Sequence, residues 1–274
     1  AHEIAAAHDS PAPLDLTIKA TADAAEWAAR LDGQVISGGT VRLARAANVE
    51  TLPGFDAGAW WVQDAAAAIP ARVLLSLTNA ATGTSLIDLC AAPGGKTMQL
   101  AASGADVTAL DSSAPRLKRL AANLARTGLA AHIVKADARE WRPEQEADGV
   151  LLDAPCSATG TIRRHPELPW ICDDGAVSRP AAVTATLLDA GFAMVKQGGV
   201  LVFAVCSLEH EEGEAQIDAF LARTPAARAL DIDPATYGLP ESARTETGLR
   251  ILPSYLRELH GLDGFFVAAL QRFQ

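Results

Sequence analysis

From Thr84 onward this chain alternates short apolar runs with helix-length stretches. Ser85–Leu89, Asp106–Leu110, His132–Lys135, Gly149–Leu152 and Val200–Val205 read as strands, and helices are expected at Thr97–Ser103, Ala114–Arg126 and Ala181–Lys196. On the second of these helices Leu117, Leu120, Ala121 and Leu124 fall on one face. Strands that are apolar throughout must be covered on both sides, so the expected fold class is α/β, with a mostly parallel sheet between helices. Ligands bind such sheets at the carboxyl ends of their strands, which makes the residue ending each run the informative one.

The first residues follow a different rhythm. Leu14–Lys19 reads as a strand, Ala22–Leu31 as a helix and Gln34–Leu43 as strand and turn around Gly38-Gly39, closed by Pro53-Gly54. The expectation is a small α+β unit over residues 1–58 and a large domain over 59–274, entered by a helix at Ala59–Leu77. Arg250–Leu252 and Gly264–Leu270 read as a closing hairpin with one antiparallel strand. A 274-residue chain that is 49% hydrophobic has ample material for that core.

Cys90, Cys156, Cys172 and Cys206 show no Cys-x-x-Cys spacing, so neither a metal site nor a redox pair is expected. The absence of a disulfide framework points to the cytoplasm, and a monomer is expected. No run approaches the roughly 20 apolar residues of a membrane span. The start lacks a basic segment followed by an apolar one, so no secretory leader is expected, and Ala1 in place of Met reads as a processed or trimmed start. A net charge of −10 disfavours simple polyanion binding. Residues 84–170, however, hold 10 basic and 10 acidic side chains, with the bases clustered at Arg116-Lys118-Arg119 and Arg163-Arg164-His165.

Asp88-Leu-Cys-Ala-Ala-Pro-Gly-Gly-Lys-Thr97 is a strand end, a glycine turn and a helix start. A P-loop requires glycine five positions before Gly95, where this chain has Cys90. A dinucleotide fingerprint requires Gly-x-Gly-x-x-Gly, and only Gly94-Gly95 is present. An adenosyl ligand without phosphates asks for less: close backbone approach at the turn and an acid after the next strand for ribose hydroxyls. Asp111 stands there, and Asp137 ends the third strand, within reach of an adenine amino group. Each aspartate has a plainer alternative as a helix cap, but acids ending successive strands favour the ligand.

Two cysteines end the last two strands, in Asp153-Ala154-Pro155-Cys156-Ser157 and Val205-Cys206-Ser207. A free cysteine is ordinarily a small buried hydrophobe, which is the reading left for Cys172 and, as a thiol, for Cys90. Two thiols and a carboxylate at one sheet edge suggest covalent catalysis instead.

With DLCAAPGGKT (88–97), DSSAPRLKRL (111–120), KADA (135–138), DAPCSATGTIRRHPELPW (153–170) and GGVLVFAVCSLEHEEGE (198–214), the chain resembles the Nop2/Sun (RsmB-type) RNA cytosine-C5 methyltransferases. Trp61-Val62-Gln63-Asp64 and Asp263-Gly264-Phe265-Phe266 fit as well. The resemblance implies a class I, Rossmann-like S-adenosylmethionine-dependent methyltransferase acting on RNA, with ribosomal RNA the first expected substrate. Transfer RNA is the alternative substrate, and a non-catalytic RNA-binding or ribosome-assembly factor the alternative from another class.

The same resemblance implies Cys206 as the nucleophile that adds to cytosine C6, Asp153 as the acid at N3 and Cys156 as the residue of the release step. It carries cofactor contacts onto Cys90, Ala91, Ala92, Pro93, Gly94, Gly95 and Lys96, and onto Asp111, Arg116, Asp137 and Asp153. Arg163, Arg164 and His165 would suit RNA phosphates. Two positions depart from the family pattern: Val205 replaces a usual Thr, and Ala158 replaces a usual Gly, which would stiffen the loop of Cys156. Bacterial ribosomal members also carry a helical RNA-binding domain before the region seen here. The expectation is a trimmed chain, or a short form that meets RNA through residues 12–56.

Overall fold

The computed structural model describes residues 2–43, 48–173 and 175–273. After a short helix α1 (His2–His8), strands β1 (Leu14–Ile18), β2 (Gln34–Ile36), β3 (Thr40–Leu43) and β4 (Trp60–Val62) form an antiparallel sheet in the order β2-β3-β1-β4. Helix α2 (Ala24–Arg30) covers it, with Leu16, Ile18, Ala28, Val41 and Trp60 in the core.

The helix expected from Ala59 begins only at Ala65. Trp60–Val62 is a strand instead, because its bulky residues pair with β1 in the register Thr17↔Trp61. The last strand of this sheet therefore lies past residue 58. Asp64 then starts α3 (Ala65–Thr78) by accepting a hydrogen bond from the Ala66 N–H.

The large sheet has the order β10-β12-β9-β8-β5-β6-β7. Its strands are β5 (Ser85–Leu89), β6 (Asp106–Asp111), β7 (His132–Lys135), β8 (Ala147–Asp153), β9 (Val195–Val205), β10 (Ala227–Leu230), β11 (Leu249–Ile251) and β12 (Phe265–Arg272). Those from β7 to β9 run parallel, and β12 lies antiparallel between β9 and β10. Helices α4 (Gly95–Ala102), α5 (Ala114–Thr127), α6 (Leu168–Ile171), α7 (Ser178–Ala193) and α8 (Glu214–Arg223) complete the fold. The class I, Rossmann-like α/β arrangement expected from the sequence is present.

Burial on both faces is explicit in β9: Val202 and Ala204 pack with α3, while Leu201, Phe203 and Val205 pack with α7 and α8. The ends of this strand and of the tail differ from expectation. Helix α7 stops at Ala193, and β9 starts at Val195 through a bulge that sets Val195 opposite Ala147 and Val200 opposite Gly149. β12 is an interior strand beside β9, and β11 pairs with it at residues 249–251. Ala227–Leu230, a four-residue run interrupted by Arg228, joins the far edge.

The two sheets are joined by polar contacts. Arg126, at the end of α5, donates to the Phe55 and Trp60 carbonyls at 2.7 and 3.1 Å. A Cβ on Gly58 would lie 2.2 Å from the Arg126 carbonyl oxygen, so the approach requires glycine. Arg42 is buried, forked onto Asp15 at 2.7 Å on both oxygens, and also donates to the Leu259 and Gly261 carbonyls.

Candidate active site

The chain order reverses at β5, with β6 and β7 on one side and β8 and β9 on the other. Such a switch point opens a crevice at the carboxyl ends of the strands. A cleft of about 360 Å³ lies there, lined by Cys90, Asp111, Arg116, Asp137, Asp153, Cys156 and Cys206 among others.

The loop after β5 is shaped by its backbone. Cys90 takes a left-handed φ of 60° and Gly94 one of 108°, where a Cβ would meet Leu120 at 3.1 Å. Ala91, Ala92 and Gly94 are buried, whereas Pro93 is exposed. Asp111 accepts hydrogen bonds from the N–H groups of Ala92 (3.2 Å) and Ser113 (2.8 Å), which fixes its carboxylate at the cleft. Arg116 bridges back, pairing with Asp111 at 3.4 Å and donating to the Ala92 carbonyl. Asp137 lies on the cleft wall with Arg139 folded over it, and that charged hydrogen bond pulls its pKa down to about 2.

Burial alone would lower the Lys96 pKa, but the Asp153 carboxylate 2.8 Å from its ammonium outweighs it, and Asp88 and Cys206 add to the upward shift. Lys96 also lies 5.4 Å from the centroid of the Phe265 ring. Asp153 thus has a cationic partner, and its side chain is 33% exposed. Asp88, fully buried behind the loop, has one oxygen bonded by the Thr97 hydroxyl at 2.6 Å and the other without a hydrogen-bond partner among the described residues. Burial pushes its pKa up to about 7.

Cys156 and Cys206 leave adjacent parallel strands, registered Asp153↔Ala204, and their sulfurs lie 3.5 Å apart. The Cys156 pKa is driven well above the ordinary thiol range, first by its hydrogen bond to Cys206 and then by burial. Cys156 thus keeps its proton. Burial and the surrounding aspartates push Cys90 up to about 12, which leaves it an inert thiol.

A family model described as 16S rRNA methyltransferase RsmB/F matches residues 73–271. The chain belongs to this family. It is 38% identical over 268 residues to the ribosomal RNA small subunit methyltransferase B of Vibrio vulnificus, covering 96% of this chain and 57% of that protein. Against the protein of the same name from Salmonella arizonae it is 42% identical over 238 residues, 84% of this chain and 51% of that one. The chain therefore spans about half the length of these RsmB relatives. Among solved structures, a methyltransferase homolog protein from Pyrococcus horikoshii shares the fold, with a TM-score of 0.78 at 24% identity over 98% of this chain and 90% of that one. NSun6 from the same organism, solved with SFG, superposes with a TM-score of 0.67 at 25% identity over 84% of this chain and 57% of its own.

In this RsmB/F domain, one expected RNA contact has a different task. The Arg163 side chain is 1% exposed and spends its donors on Asp263, Asp64 and the His260 carbonyl. It has become an architectural cation, because burying a guanidinium requires carboxylate partners. Arg164 pairs with the same two aspartates while remaining partly exposed, and His165 lies at the surface beside Glu167. The Arg163 and Arg164 guanidinium groups hold the Asp64 carboxyl down against the effect of its burial, whereas burial dominates at Asp263 and lifts it to about 6.

Ala158 adopts φ 58°, a left-handed conformation that favours glycine. Sequence reasoning missed Asp64, Ser157, Ser207, Glu212 and Asp263, all buried around the two cysteine loops. The available signal was their position inside the motif segments, next to residues already singled out.

Proposed function

We propose that this RsmB/F domain is the catalytic part of an S-adenosylmethionine-dependent methyltransferase that modifies C5 of a cytosine in ribosomal RNA. The observation that carries the reading is the pair of thiols 3.5 Å apart on the wall of a cleft that also presents Asp111, Asp137 and Asp153. The cleft volume falls in the ordinary range for small-ligand sites, roughly 300–1,000 Å³. Its acid-ended strands and incomplete phosphate loop fit an adenosyl group better than a nucleotide. Asp111 would hold the ribose, Asp137 the adenine edge and the loop from Cys90 the backbone contacts. Bound there, S-adenosylmethionine supplies an electrophilic methyl group.

Cytosine C5 is a poor nucleophile until a thiolate adds at C6. Cys206 is assigned that bond, its thiol proton leaving to solvent, while Cys156 beside it stays protonated. The C5=C6 electron pair then moves toward N3, where Asp153, backed by Lys96, stabilises or protonates the base. After methylation a base takes the C5 proton, the C5=C6 bond re-forms and the C6–S electron pair returns to Cys206 as thiolate. Cys156, next to the bond that breaks, serves this release once it has given its own proton to solvent. A target within paired RNA must be unstacked to reach the thiols. Arg164 and His165 remain as candidate phosphate contacts. The N-terminal sheet, tied to the catalytic loop through Asp64, is assigned to RNA contact.

The test is transfer of tritium from labelled cofactor to RNA from a strain lacking the protein. Label in small-subunit ribosomal RNA is expected. Label in transfer RNA alone would move the substrate, and none at all would favour the non-catalytic reading.

A further inference from the structure

Beneath the two thiols lies a buried polar network that the proposed steps do not use. Each cysteine is followed by a serine, and the Ser157 and Ser207 hydroxyl oxygens are 3.3 Å apart. Thr159 Oγ1 sits 3.3 Å from Ser207 Oγ and accepts the Leu208 N–H at 3.0 Å. Glu212, 1% exposed, closes the network by accepting both the Ser157 N–H (2.8 Å) and the Ser157 hydroxyl (2.5 Å). The Gly160 N–H bonds the Cys206 carbonyl at 3.0 Å, so the two loops are stitched on either side of the sulfurs.

The sheet cannot supply this alignment. Its ladder between β8 and β9 ends at Asp153↔Ala204, and Cys156 lies three residues beyond it. Past that point the separation of the thiols depends on what ties the loops together. A carboxyl sealed from water is retained only where its hydrogen bonds offset the loss of solvation. Here both go to the residue next to Cys156.

We propose that Glu212 is a positioning residue which, through Ser157 and Ser207, holds Cys156 against Cys206 and so governs release of the methylated RNA. Glu212 is not among the residues that line the cleft. The inference rests on the covalent reading above and deepens it. Misplacing a reacting group by about 1 Å costs up to roughly 100-fold in rate, so loss of the network should be felt at the step that needs Cys156.

The experiment uses the full-length protein, S-adenosylmethionine and small-subunit ribosomal RNA from a strain lacking the protein. Ser157→Ala, Glu212→Gln and Glu212→Ala are compared with Cys156→Ala for RNA adduct on denaturing gels, and for cofactor affinity by calorimetry. Ser157→Ala, which keeps the backbone donor, is expected to raise the standing adduct about tenfold over wild type, the effect of one hydrogen bond to a charged group. Cofactor affinity should be unchanged, and Glu212→Gln should release RNA faster than Glu212→Ala. Wild-type adduct levels in all three, beside a Cys156→Ala protein that traps RNA, would overturn the assignment. So would parallel loss of cofactor affinity and activity, the mark of a merely structural role. If Cys156→Ala itself traps nothing, the covalent reading fails and takes this one with it.

Discussion

Cys156 and Cys206 are the same side chain in neighbouring loops, and what faces each one separates the roles proposed for them. Cys156 keeps its proton because it bonds to Cys206 and is buried, while Cys206 lies within the field of the Lys96 ammonium. Asp88 makes a second residue-scale statement. Its folded pKa of about 7 lies above the ordinary 3.8, so the folded protein holds a proton that the unfolded chain gives up. Stability is therefore expected to fall as pH rises from about 4 to 7, and Asp88→Asn should flatten that slope in urea midpoints. Ala158→Gly should relieve the left-handed strain and stabilise the fold by about 1 kcal/mol, read from the same unfolding curves. Some of this was legible beforehand, because aspartates and cysteines recur at the ends of successive apolar runs. Glu212 was not, since Glu209, Glu211, Glu212 and Glu214 are alike in sequence and only the fold buries one beneath Ser157.

The elements themselves were visible wherever the apolar period was unbroken. β5, β6, β8 and the body of β9 fall where the alternation placed them. β4 was misread as helix because Trp60 and Trp61 sit directly before an alanine-rich helix, and only pairing with β1 makes them a strand. The ionic lock among Arg163, Arg164, Asp64 and Asp263 ties the catalytic loop to the start of α3 and the turn before β12. Removing one partner leaves buried charge uncompensated. Arg163→Ala should therefore cost about 3–5 kcal/mol of unfolding free energy by denaturant titration. Weakened RNA binding with full stability would instead return Arg163 to the surface role first expected of it.

At the scale of the whole molecule, the cleft opens at one end of the large sheet, and the small sheet docks beside it. The acidic balance of the chain did not reveal this, because several basic groups of the middle segment are consumed internally, Arg126 and Arg163 among them. Among the described residues no helix is long and apolar enough to cross a membrane. The cofactor claim belongs to this scale, since the cleft needs three strand ends. Asp111→Ala is expected to weaken S-adenosylmethionine binding by tenfold or more, about the contribution of one charged hydrogen bond, as measured by calorimetry.

The ordered pair of thiols is tested most directly by trapping. Cys156→Ala and Cys206→Ala proteins, each incubated with S-adenosylmethionine and small-subunit ribosomal RNA, are run on a denaturing gel. A protein–RNA adduct with Cys156→Ala, and neither adduct nor methylation with Cys206→Ala, is the predicted result; an adduct with Cys206→Ala would contradict it.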